Sequence, residues 1–181
     1  MEPSKNADES VVRVAHLMPP EWANFFGNIH GGQVLRLVDN TAYVCAARYA
    51  GTTTCVTAAM DRVDFYEPVH VGELLTIVAR IAYVGRSSME VDIDIFAQDI
   101  PSGRERRTNT CHVTMVALKD GRPTQVPRLI CRTPEDKARY IQARKRREMG
   151  LRYRQERDAF LSQYERMTAE ELDALIAESA G

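Results

Sequence analysis

A chain of 181 residues, 44% apolar and 27% charged, can bury one full core and has the composition of an ordinary globular protein. Its net charge of −1 creates no global field for nucleic acid or an anionic membrane, so neither is expected as a partner. No run of about 18 apolar residues occurs, and the opening MEPSKNADES has no secretory pattern. Cys45, Cys55, Cys111 and Cys131 form no CxxC pair. These features predict a cytoplasmic protein with reduced thiols and neither a disulfide framework nor a zinc knuckle.

In chain order, the β-branched stretch 10–18 predicts a first strand that ends at Pro19-Pro20, since proline cannot continue a ladder. His30-Gly31-Gly32 then opens a long apolar run, Val34 through Tyr49, closed by Gly51. Its apolar positions cover most of a helical wheel, which predicts a helix of about 27 Å buried nearly all round. Four strand-like segments follow at 53–65, 73–84, 88–98 and 107–119. In the third, Met89, Val91, Ile93, Ile95 and Ala97 alternate with Glu90, Asp92 and Asp94, so one face is apolar and the other charged. Gly85 and the Asp120-Gly121 pair are turn signals. The expected fold class is α+β, an antiparallel sheet wrapped around one long helix, spanning residues 8–131.

Residues 132–181 read as a charged helical extension. Thr133-Pro134-Glu135-Asp136 is a helix start, and Thr168 to Glu171 matches a capping box. From Lys137 to Arg157 nine basic residues face two acidic ones, whereas from Asp158 onward six acidic residues face one basic. A solvated helix accounts for such a charge pattern, as does packing on a neighbouring subunit.

The common catalytic signatures are missing: there is no GxSxG elbow, Walker loop, HExxH or GxGxxG. His16, His30, His70 and His112 lack ligand spacing, so no metal is expected. Three features remain. Asp39 lies mid-helix in an otherwise apolar segment, where a carboxylate is costly unless hydrogen-bonded; a solvent-facing or structurally paired aspartate is the alternative. His30-Gly31-Gly32 precedes the helix, where free N–H groups favour negative charge and can stabilise an oxyanion, although Gly-Gly is also a plain tight turn. Gly85-Arg86-Ser87-Ser88 offers a guanidinium and two hydroxyls suited to phosphate, or is simply a hairpin turn.

Together and in order, NFFGNIHGGQVLRLVD from Asn24 to Asp39, VTAAMDRVDFYEPVHVGE and VGRSSMEV resemble the hotdog-fold acyl-CoA thioesterases. The likeness is to bacterial short- and medium-chain acyl-CoA hydrolases and the animal cytosolic (brain-type) enzyme, over residues of about 10–130. It implies hydrolysis of an acyl-CoA substrate to fatty acid and coenzyme A, with no cofactor. It further implies that Asn24 and Asp39 are catalytic, Asp39 as general base for a water or as direct nucleophile and Asn24 orienting the water or carbonyl, with Asn28 an alternative to Asn24, and that the Gly32 N–H holds the oxyanion. His30, Gly31, Thr57, Arg86, Ser87 and Ser88 are implied to contact the substrate or its CoA moiety. In that family the asparagine and the aspartate meet across a dimer interface, so a homodimer is implied, and hexamers built as trimers of dimers are common among such relatives. A non-catalytic acyl-CoA-sensing hotdog module is the competing class. A hotdog dehydratase would need a histidine beside the helix acid, and no obvious mate for Asp39 is apparent.

Overall fold

The computed structural model describes every residue except 1, 2, 53, 62, 180 and 181. The strands are Ser4–Asn6 (β1), Val12–Leu17 (β2), Cys55–Met60 (β3), Asp64–Phe65 (β4), Leu74–Val84 (β5), Ser88–Gln98 (β6), Glu105–Lys119 (β7), Arg122–Pro123 (β8) and Arg128–Ile130 (β9). The helices are Gly31–Ala50 (α1), Pro134–Tyr164 (α2) and Ala169–Ser179 (α3). The chain divides into two compact units, Met1–Tyr140 and Ile141–Gly181.

In the first unit a curled antiparallel sheet runs in the order β2-β5-β6-β7-β3, and β4 and β8 also pair with β7. β5, β6 and β7 form the expected meander. The Gly85 N–H closes the first hairpin on the Ser88 carbonyl at 2.8 Å. Asp120 and Gly121 both adopt positive φ (51° and 74°), which suits the tight turn into β8. The apolar face of β6 is fully buried and packs with Leu75, Ile77, Val113 and Met115 against α1. This is the hotdog arrangement of sheet and central helix. The region expected as one strand over 53–65 is instead two, β3 and β4, and positions 53 and 62 within it lie outside the described residues.

One expectation is corrected. α1 is not buried all round: Val34, Leu37, Val38, Thr41, Ala42, Cys45, Ala46 and Tyr49 are buried, while Arg36, Asn40, Tyr43, Val44 and Arg48 are exposed. The sheet of a single chain covers one side of the helix, so the apolar Tyr43 and Val44, 38% and 40% exposed, are left uncovered. The helix ends at Gly51, whose φ of 72° is the left-handed cap conformation that glycine tolerates best. Lys5 Nζ donates to the terminal carbonyls of Arg48 and Tyr49, placing a cation at the negative helix end.

Thr133 and Asp136 cap α2 reciprocally, with both bonds at 3.1 Å. In the second unit Thr168 and Glu171 do the same for α3, at 2.8 and 3.3 Å. Each such cap contributes about 1 kcal/mol. From Met149 to Gln163 every residue of α2 is exposed, and Arg144 meets Glu148 one turn on at 3.6 Å.

Candidate active site

Asp39 sits two turns into α1, half-buried. Its Oδ1 accepts a hydrogen bond from Thr57 Oγ1 at 2.6 Å, a short, charge-assisted contact. Thr57 belongs to β3, the last strand of the sheet. The register jumps there from Thr57↔Met115 to Ala59↔Thr114, so Ala58 is an extra residue and the strand is bulged beside the carboxylate. Thr57 thus supplies the hydrogen bond that a carboxylate in an apolar helix requires.

The loop before α1 is tightly closed. The Asn24 N–H donates to the Asn28 carbonyl at 2.7 Å and the Gly27 N–H to the Asn24 carbonyl at 3.0 Å. Asn24 Oδ1 accepts from the N–H groups of Phe26 (2.9 Å) and Asn28 (3.2 Å). The side-chain carbonyl of Asn24 is therefore committed to the loop, which leaves Nδ2 as its donor. His30 caps α1: its Nδ1 accepts from the Gly32 N–H at 3.0 Å. The Gly32 N–H expected to meet an oxyanion is thus already engaged by His30. A Cβ on Gly31 would lie 3.3 Å from the Phe65 ring, so that ring rests directly on the start of the helix. A cleft of about 310 Å³ opens here, with Asn24, Gly31, Val34, Phe65 and Pro68 in its wall. Asp39 and Thr57 are not in the wall of this cleft.

Arg86, Ser87 and Ser88 form the β5–β6 turn. The Ser87 carbonyl accepts from the Ala117 N–H at 3.0 Å and the Arg86 carbonyl from the Val126 N–H at 3.1 Å, while Arg86 itself is exposed. A second recess, of about 510 Å³, lies at the β7–β8 hairpin and carries Lys119 and Arg122, two cations that the sequence reading did not single out.

Two further polar groupings come from distant parts of the chain. Arg106 grips Glu73 through Nη1 at 2.5 Å and Nη2 at 3.0 Å, and reaches Glu67 at 2.9 Å. Burial pushes the Glu73 carboxyl up, but the hydrogen bonds from Arg106 and the His70 N–H outweigh it and hold the group below its ordinary range. On the sheet face away from α1, Glu90, Asp92 and His112 place one donor atom each within 4.8 Å of one another, a set able to hold a cation. His112 Nδ1 is 2.8 Å from Asp92 Oδ1, a cross-strand pair that spacing along the sequence does not reveal. Burial raises all four cysteines, Cys45 and Cys111 to about 12, so at neutral pH they are thiols rather than nucleophilic thiolates.

A family model described as "Thioesterase superfamily" matches residues 26–103. Protein VdlD of Helicobacter pylori is 42% identical over 146 residues, covering 81% of this chain and 83% of its own. The uncharacterized acyl-CoA thioester hydrolase YkhA of Bacillus subtilis is 32% identical over 71% of this chain and 74% of its own. The cytosolic acyl coenzyme A thioester hydrolase of Rattus norvegicus is 30% identical over 72% of this chain, which spans 35% of that longer relative. Among solved structures, acyl-CoA hydrolase from Staphylococcus aureus in complex with butyryl coenzyme A, coenzyme A and coenzyme A disulfide superimposes with a TM-score of 0.81 at 30% identity, covering 91% of this chain and 100% of that one. The same enzyme is also solved with single alanine substitutions of an asparagine, an aspartate and a threonine. An apo-hexameric acyl-CoA thioesterase superimposes with a TM-score of 0.80 at 32% identity, over 87% of this chain and 98% of that one.

Proposed function

Because this chain belongs to the acyl-CoA thioester hydrolases of the thioesterase superfamily, we propose that it hydrolyses fatty acyl-coenzyme A in the cytoplasm, with Asp39 and Asn24 as its catalytic residues. The observation that carries this reading is the Asp39 carboxylate, ionisable, half-buried and held in place by the Thr57 hydroxyl. The asparagine and aspartate substituted in the Staphylococcus aureus enzyme are spaced along its chain as Asn24 and Asp39 are here, and its substituted threonine falls within one position of Thr57. That spacing favours Asn24 over Asn28.

Asp39 takes a proton from water as the oxygen attacks the thioester carbonyl. A carbon–oxygen bond forms, the carbon–sulfur bond breaks, and the proton passes to the departing CoA thiolate. Thiolate is a good leaving group, so a strong covalent nucleophile is not required. Asn24 Nδ2 donates to the carbonyl oxygen, and the Gly32 N–H joins it once that oxygen replaces His30 Nδ1 as acceptor. Arg86, Ser87 and Ser88 hold the CoA moiety, and Gly31 lets the substrate approach the helix start.

The site is shared between two copies, Asn24 from one and Asp39 from the other. Three features support this: Asp39 and Thr57 are not in the wall of the cleft that Asn24 lines, α1 keeps the apolar Val44 exposed, and β3 ends the sheet. A homodimer, alone or tripled into a hexamer, meets the requirement. Release of free thiol from acyl-CoAs of graded chain length tests the activity. Coenzyme A binding without thiol release would instead favour a sensing module. Mixing Asn24→Ala with Asp39→Asn chains tests the sharing, because shared sites regain activity on mixing and self-contained sites do not.

A further inference from the structure

Asn24 can act as a donor only if its amide keeps one orientation. Within the loop that orientation is imposed by backbone N–H groups, one of them belonging to Asn28. Asn28 also closes the loop through its backbone, its carbonyl accepting from the Asn24 N–H at 2.7 Å, while Phe25 and Phe26 between them stand in solvent. The position of Asn28 therefore decides where Asn24 Nδ2 is presented.

Asn28 is held from the opposite side. It bridges His70 in antiparallel fashion, with the Ile29 N–H donating to the Val69 carbonyl at 2.8 Å. Its Oδ1 accepts from His70 Nδ1 at 2.9 Å. His70 is itself fixed, since its backbone N–H donates to Glu73 Oε2 at 2.8 Å and Glu73 is clamped by Arg106. An unbroken line of contacts thus runs from the Arg106–Glu73 pair through His70 and Asn28 to Asn24.

We infer that His70 is a positioning residue for the proposed hydrolysis: through the Nδ1 to Oδ1 contact with Asn28, it sets the orientation in which Asn24 presents Nδ2. The inference rests on the reading of Asn24 given above. His70 does not touch the reacting atoms in this scheme, and its ring contributes one donor at one atom. An asparagine at position 70 can supply the same donor, because its Nδ2 stands where the imidazole Nδ1 does.

His70→Ala should lower kcat by on the order of 10-fold, the lower end of what losing an orienting outer partner does, with KM moving less than about 2-fold. His70→Asn should recover most of the rate, and Asn28→Ala should reproduce the His70→Ala defect. In an Asn24→Ala background, His70→Ala should cost nothing more, because its route runs through Asn24. A readout independent of turnover is the side-chain amide signal of Asn24 in asparagine-labelled protein, assigned by its loss in Asn24→Ala. It should shift or broaden in His70→Ala and return in His70→Asn. An unmoved signal, or a full additional loss in the Asn24→Ala background, would overturn the role of His70. If the signal responds as expected but the parent protein releases no thiol, the coupling stands and the hydrolase reading falls.

Discussion

The Thr57 hydroxyl donates to Asp39 Oδ1 across 2.6 Å, tying the middle of α1 to the outermost strand of the sheet. A hydroxyl so placed fixes the rotamer of the carboxylate and leaves Oδ2 to meet a water. Asp39→Asn keeps the shape but loses the base, and thiol release should fall by about 10²- to 10⁴-fold with folding retained. Thr57→Val leaves the base unoriented, so kcat should fall about 10-fold, whereas Thr57→Ser should stay near the parent. A Thr57→Val rate equal to the parent would make the contact incidental.

Arg86 is exposed on the β5–β6 turn, where a guanidinium suits the phosphates of coenzyme A and has nothing to grip on a bare pantetheine thioester. Arg86→Ala should raise KM for acyl-CoA and leave the pantetheine thioester little changed. Parallel losses on both substrates would assign Arg86 to the fold instead.

The Glu73–Arg106 pair predicts a stability that depends on pH on the acid side. Its carboxyl titrates below the ordinary range in the folded chain because Arg106 and the His70 N–H favour the ionised form. The stability it contributes is present above the unfolded carboxyl pKa, near 4.3, and is lost as pH falls through the lower folded value. Arg106→Met should therefore do two things in thermal melts. It should destabilise the protein at neutral pH by about 3 kcal/mol, the cost of stranding a buried charge, and it should flatten the acid limb of the stability curve. An acid limb identical to that of the parent would show that other carboxylates dominate it.

The buried cysteines act in the opposite direction. Cys45 is pushed up to about 12 by burial, and its thiol donates to the Ser10 carbonyl at 3.3 Å. A raised folded value contributes stability below the unfolded thiol pKa, near 8.5, which is lost as pH climbs toward the folded value. Cys45 and Cys111 should resist an aromatic disulfide reagent in the native protein at pH 8 and react once it is unfolded. The melting temperature should decline above about pH 9, less steeply in Cys45→Ala. Rapid labelling of Cys45 in the native state would contradict its burial.

Much of the fold was legible because its periods are regular. The alternation of β6, the turns at Gly85 and Asp120-Gly121, and the run from Val34 to Gly51 all state their structure locally. Asp39 stood out because a carboxylate has no business in an apolar helix without a partner. The partner was harder to read. The extra residue Ala58 leaves Thr57 and Met60 opposite the core residues Met115 and Val113, three positions apart on one face, which defeats a period of two. The exposed side of α1 is not legible in the sequence, because apolar residues exposed in one chain carry the same signature as core residues. The pairs Asn28–His70 and Glu73–Arg106 join residues 42 and 33 positions apart, and no local pattern announces such contacts.

The Phe25-Phe26 tip offers a way to watch assembly without a label. Two adjacent exposed phenylalanines on a loop are what a chymotrypsin-like protease seeks, and exposed loop tips are where nicking begins. If Asn24 reaches toward a second copy, this tip travels with it into the contact, and the bond after either phenylalanine becomes protected. The rate of cleavage at the tip would then fall with protein concentration, giving a dissociation constant from a gel.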